Sequence, residues 1–99
     1  MTVASLEQAS QAALADAARR SGIAVGALQL VSAERVTWPD GSLGCPEPGM
    51  LYTQALVPGY RIRIRAGATT LDYHAGLRGE PRLCPAGQAQ EPLTGDGRV

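Results

Sequence analysis

The 99-residue sequence contains no lysine, no asparagine and no phenylalanine, and all nine of its basic residues are arginine. The three missing residue types have AT-rich codons, so their joint absence indicates a GC-rich bacterial genome. The same codon bias explains why every basic residue is arginine. The arginines are therefore weaker evidence for a binding site. Nine acidic residues balance them, and the formal net charge of zero gives no support to binding of nucleic acid or of an acidic membrane surface.

Long apolar runs are also missing. No stretch approaches the roughly 18–20 apolar residues that a membrane span requires. The segment after Met1 lacks a basic start followed by an apolar core, so no signal peptide is visible. A hydrophobic content of 44% and a charged content of 18% are typical of a globular protein, and 99 residues predict one domain with a thin core.

Residues 5–21 are predicted to form a helix. Ser5 and Gln8 have the spacing of a capping box, in which each side chain satisfies a free N–H of the first turn. Alanine, the best helix former, dominates the interior, and Gly22 follows as a stop signal. The apolar face is made of small residues, which predicts close packing on a sheet.

A β-hairpin is predicted around Gly67. Residues 60–65 alternate strictly between apolar residues and arginine, which is typical of a half-buried strand, and Gly67-Ala68 suits a two-residue turn. The resulting register places every apolar side chain on one face and every polar one on the other. It pairs Ile64 with Leu71, Ile62 with Tyr73, Arg63 with Asp72, and Arg61 with His74.

Further strands are predicted on either side of this hairpin. Residues 27–38 are predicted to form a long strand whose apolar alternation is interrupted, which predicts a bulge or bend near Ser32. Residues 52–57 and 82–84 are predicted to be shorter strands. The sequence therefore predicts an α+β fold, with one N-terminal helix packed on a small antiparallel sheet of three to five strands.

The domain is predicted to cover residues 1–84, followed by a flexible C-terminal tail over residues 85–99 that is rich in proline, glycine and polar residues. Within the domain, residues 39–51 are predicted to form a long Pro/Gly loop. Loops of this length in small domains are usually functional or disordered. Trp38, the only tryptophan, is interpreted as the buried anchor of this loop, and exposure to a partner protein is the alternative.

Cys45 and Cys84 are the only cysteines, and each precedes a proline. There is no Cys-x-x-Cys motif, which argues against a thioredoxin-like redox centre. A disulfide between them would close a loop of about 40 residues, stabilise the domain by about 4 kcal/mol and imply an oxidising compartment. Two buried free thiols, a reactive cysteine, or a zinc site that includes His74 are the alternatives.

His74, the only histidine, is interpreted as a solvated residue of the polar sheet face. The alternative pairs it with Cys45 as a thiolate–imidazole couple. On the same face Arg61, Arg63 and Arg65 form a stripe that could bind an anion, and a solvated outer face is the other interpretation. The complete candidate binding surface consists of Trp38, Asp40, Ser42, Glu47, Arg61, Arg63, Arg65 and His74.

These observations predict a binding or structural module that presents a disulfide-braced loop to a protein or an anionic ligand. A thiol-based enzyme or redox sensor that uses Cys45 with His74 is the alternative. No catalytic residue, metal or cofactor is predicted, and neither nucleic acid nor a membrane is an expected partner. A periplasmic or extracellular location is favoured, and a cytoplasmic one is the alternative because no signal peptide is visible.

A set of motifs over residues 28–84 resembles a group of small bacterial proteins of unassigned function. The shared features are Trp38, the Ser-Leu-Gly-Cys-Pro segment at 42–46, Tyr52, Gln54, the Pro-Gly-Tyr-Arg segment at 58–61, Tyr73, His74 and Cys84. Members of that group are often predicted to be exported or lipid-anchored. The resemblance therefore implies a pairing of Cys45 with Cys84 and a setting in the cell envelope, and it implies no reaction or ligand.

Overall fold

The N-terminal helix begins at its predicted cap. The structure, a computed structural model, describes residues 5–95. Helix α1 spans Leu6–Ser21, and the Ser5 side chain accepts a 3.1 Å hydrogen bond from the backbone N–H of Gln8. The helix ends at Gly22, as predicted. Its buried face consists of the small residues Ala9, Ser10, Ala13 and Ala17.

The remaining elements form one antiparallel sheet. The strands are β1 (Gln29–Trp38), β2 (Val57–Ala66), β3 (Thr69–Gly76), β4 (Arg82–Cys84) and β5 (Thr94–Gly95). Within the described residues their order across the sheet is β4-β3-β2-β1-β5. Helix α1 packs on this sheet, so the predicted α+β arrangement is confirmed.

The β2–β3 hairpin has the predicted register. Ile62 lies opposite Tyr73, and Arg61 lies opposite His74. The apolar side chains of both strands face α1 and form the core with its alanines. The Tyr73 hydroxyl crosses to the helix and donates a 2.7 Å hydrogen bond to the carboxylate of Asp16. The polar side chains of the hairpin point away from the helix.

Strand β1 changes register between Leu30 and Ser32, where the sequence predicts a bulge. Before the bulge, Leu30 pairs with Ile64 on the helix side of the sheet. The extra residue at the bulge reverses the alternation, so the even-numbered residues after it point away from the helix. Trp38 is one of these residues, and it contacts His74. The bulge thus places the only tryptophan on the face that α1 does not cover.

The predicted strand over residues 52–57 is wrong except for its last residue. Residues 51–56 are irregular, and β2 begins at Val57 and continues straight through Pro58 and Gly59. At Gly59 the backbone of β2 closely approaches that of β3: a Cβ atom there would lie 2.0 Å from the carbonyl oxygen of Ala75. The chain reverses before β2, inside the loop.

Residues 85–95, which the sequence assigns to a flexible tail, are placed against the domain. The Gln90 N–H donates a 2.8 Å hydrogen bond to the Gly44 carbonyl, and β5 pairs with the end of β1. These partners are more than 40 residues away in the chain, so composition does not reveal them. Residues 96–99 of the predicted tail, and residues 1–4 of the predicted domain, lie outside the described residues.

Candidate binding loop and the polar face of the sheet

The loop over residues 39–51 is shaped by short-range hydrogen bonds at its start. The Asp40 carboxylate accepts from both the backbone N–H and the hydroxyl of Ser42, over 2.9 and 2.6 Å. These two bonds lower the pKa of the Asp40 carboxyl. Asp40 and Ser42 therefore stabilise a turn within the loop. The Ser42 side chain is buried and is not accessible to a partner.

A disulfide joins the loop to the sheet. Cys45 and Cys84 are bonded, with Cα atoms 5.8 Å apart, so the predicted disulfide is present. It ties the loop to β4 across 39 residues of sequence, a separation for which the chain-entropy contribution is about 4 kcal/mol. Both sulfur atoms are used in this bond, and neither is a free nucleophile or a thiolate ligand for zinc. An intramolecular disulfide fits an oxidising compartment.

Trp38 is the buried anchor of the loop, as interpreted from the sequence. It is completely buried, and its indole N–H donates a 3.1 Å hydrogen bond to the Ala75 carbonyl. Gly44 packs directly on the ring and has a φ of +71°; a Cβ atom there would lie 2.3 Å from the indole. The loop can close over the tryptophan only with glycine at this position.

His74 is buried beneath the loop, so its interpretation as a solvated surface residue is wrong. Its exposure is 1%, its ring stacks on Trp38 at a centroid distance of 4.4 Å, and Nδ1 donates to the Leu43 carbonyl over 2.7 Å. Nε2 lies 3.2 Å from a carboxylate oxygen of Asp72. Leu43, whose carbonyl accepts this bond, has a left-handed backbone conformation with a φ of +57°. This conformation costs about 1 kcal/mol for a residue other than glycine.

Arg61 is also buried, with an exposure of 6%, and it does not belong to an open cationic stripe. Its guanidinium donates to Asp72 over 3.1 and 2.9 Å and to Glu91 over 2.8 Å. Partial burial raises the pKa of the Asp72 carboxyl, but the His74 ring and the Arg61 guanidinium outweigh it and lower the pKa to about 2. The arrangement is a buried ion pair beneath the loop and the segment that follows β4.

The other two arginines of the predicted stripe behave differently from Arg61. Arg63 is half-buried and donates a 2.9 Å hydrogen bond to the Ser32 hydroxyl on β1, whereas Arg65 is exposed. The three arginines therefore do not form one surface for an anion. The sequence alternation placed them correctly on one face, but it did not show that the loop covers part of that face.

The outer surface of the loop is apolar. Leu51 is 96% exposed and its neighbour Met50 is more than half exposed. The chain on either side is held, because the Glu47 N–H donates a 3.0 Å hydrogen bond to the Tyr52 hydroxyl and the Gly41 N–H donates to the Thr53 carbonyl. The sequence analysis did not include Met50 and Leu51 in the candidate surface. An apolar pair within a Pro/Gly loop can be either buried or exposed, and the sequence does not distinguish the two.

A cavity of about 330 Å³ lies on the inner side of the loop. Loop residues form one wall, and β4 with the residues after it forms the other. Glu47 on the loop and Arg82 on β4 face each other at 3.6 Å. Of the predicted surface residues, Ser42, Glu47 and His74 line this cavity, whereas Trp38 and the arginines of β2 do not.

Among residues 5–95, no group of three or more His, Cys, Asp or Glu side chains is arranged to hold a metal ion. No helix in the same part of the chain is long and apolar enough to cross a membrane. Two features of this face remain for the functional argument, the exposed apolar pair Met50-Leu51 and the cavity with one charge of each sign.

Comparison with known families gives one match. The model of a domain of unknown function, DUF8738, matches residues 10–84, which include all of α1 after its first turn, the loop and strands β1 to β4. No curated protein and no solved structure shows significant similarity to the chain.

Proposed function

The chain belongs to the DUF8738 family, and we propose on that premise that it is a non-enzymatic binding module of the cell envelope, which presents loop 39–51 to a partner protein. The observation that carries the proposal is the exposed pair Met50-Leu51 on a loop that is braced by a disulfide. Leu51 is 96% exposed, and contact of its apolar side chain with water is unfavourable in free energy. A partner protein that buries this side chain would gain that free energy on binding.

Preorganisation supports the same interpretation. The disulfide, the Asp40 turn and the Trp38 anchor hold the loop in one shape before any partner arrives. A loop that is already ordered loses little conformational entropy on binding, so a small contact area is sufficient for useful affinity. A periplasmic or extracellular location fits the proposal, because the brace persists only where disulfides are stable.

Site-specific photo-crosslinking tests this proposal. A benzophenone amino acid replaces Leu51 in the full chain, which is expressed in a bacterial envelope that forms disulfides. Val25, an exposed apolar residue outside the loop, is replaced in the matched control. We expect a discrete adduct from position 51 only, and its loss when Met50 is changed to aspartate. Equal adducts from both positions, or none from position 51, would contradict loop presentation.

A further inference from the structure

The inner cavity has features that the proposed loop surface does not use. Its volume of about 330 Å³ is within the range of small-molecule sites. Leu43 and Pro48 on the loop side, with Pro85 on the other side, provide apolar surface. The cavity therefore has room and apolar surface for a small organic molecule.

Two opposite charges face this cavity from its two walls. Glu47 and Arg82 are 3.6 Å apart, which is longer than a hydrogen bond, and their side chains are 55% and 78% exposed. An exposed pair of this kind contributes little to stability, so a ligand can replace it at little cost. The contrast is the Arg61–Asp72 pair, which is buried, bidentate and unavailable to a ligand.

The disulfide restrains the backbone next to these two charged residues. Glu47 is two residues after Cys45, and Arg82 is two residues before Cys84. The bond between the two cysteines therefore keeps the two walls that carry Glu47 and Arg82 together. A site whose walls are already assembled loses less entropy when a ligand binds.

We propose that this cavity binds a free α-amino acid with an apolar side chain. Such a molecule carries a carboxylate and an ammonium group on one carbon atom, which matches the close spacing of Arg82 and Glu47. The guanidinium donates to the carboxylate and the Glu47 carboxylate accepts from the ammonium group. The apolar side chain of the ligand lies against Pro48 and Pro85. A molecule with a single charge leaves one wall unpaired or repelled, so the site discriminates against it.

Calorimetric titration of the oxidised full-length protein tests the proposal with three matched probes. They are L-leucine, 3-methylbutylamine, which lacks the carboxylate, and 4-methylpentanoic acid, which lacks the amine. We expect saturable binding of leucine and at least tenfold weaker binding of the two singly charged analogues. Absence of leucine binding at millimolar concentration, or equal affinities for all three probes, overturns the proposal.

Four single variants separate the site from its surroundings. Glu47→Gln and Arg82→Gln should each weaken leucine binding at least tenfold. Arg78→Gln and Glu80→Gln, which change exposed charges outside the cavity lining, should leave it unchanged. Thermal unfolding of all four variants checks that the fold is retained. Unchanged affinity in either cavity variant contradicts the assignment, and the result does not depend on the crosslinking at Leu51.

Discussion

Replacing Asp72 by asparagine tests whether the buried ion pair beneath the loop stabilises the domain. Asparagine preserves the size of the side chain but leaves Arg61 buried, with the exposed carboxylate of Glu91 as its remaining acidic partner. Removal of one member of a buried pair generally costs about 3–5 kcal/mol. Because Glu91 remains and the asparagine oxygen still accepts a hydrogen bond, we expect Asp72→Asn to lower the free energy of unfolding by about 2–3 kcal/mol.

The pH dependence of stability provides a second measure of the same pair. The pKa of Asp72 is lowered from 3.8 to about 2 in the folded protein, so the unfolded chain binds the proton first as the pH falls. The stabilisation from the ionised carboxylate is complete above about pH 5 and is lost as the pH falls towards 2. With allowance for partial exposure, the change amounts to about 2 kcal/mol. Asp72→Asn should remove this part of the pH dependence.

Urea denaturation followed by Trp38 fluorescence between pH 2 and 7 measures both effects. Glu80→Gln, at an exposed position, is the matched control and should follow the wild-type curve. The double variant Arg61→Met/Asp72→Leu should be more stable than Asp72→Asn, since it leaves no buried charge unpaired. If Asp72→Asn unfolds within about 0.5 kcal/mol of the wild type and shows a parallel pH profile, the ion pair has no such role.

Two further predictions concern the backbone and the disulfide. Gly59→Ala should destabilise the domain by about 3 kcal/mol or prevent folding, because its methyl group would meet the Ala75 carbonyl; Gly79→Ala, where nothing lies within 4 Å, should change the urea midpoint little. Alkylation followed by intact mass measurement should find no thiol before reduction and two after it, from Cys45 and Cys84. Rapid alkylation without reductant would instead favour the thiol-based alternative.

The buried arginine and histidine illustrate what pattern reasoning missed. Alternation along β2 and β3 placed Arg61 and His74 on the polar face and paired them correctly across the hairpin. It could not show that the Leu43 carbonyl and Glu91 would cover that face, because these groups are about 30 residues away in sequence. An arginine in an alternating strand looks the same in sequence whether its partner is water or a distant carboxylate.

The sequence by itself determined the elements whose signals are local. The cap at Ser5, the alanine-rich helix, the alternating hairpin around Gly67 and the interruption before Ser32 each depend on neighbours within a few residues or one turn. These features need no knowledge of the rest of the chain, because hydrogen bonds and alternation over short spans specify them. The disulfide is different: the sequence favoured it among several interpretations, but only the fold brings the two cysteines together across 39 residues of sequence.

Only the tertiary structure decided what covers the second face of the sheet. The loop closes over Trp38 and His74, and residues 85–95 add a further layer. This closure leaves Leu51 exposed and creates the cavity between Glu47 and Arg82. The physical reason is that burial is a property of long-range packing: a residue becomes buried when distant chain segments exclude water from it, and no local pattern records that event.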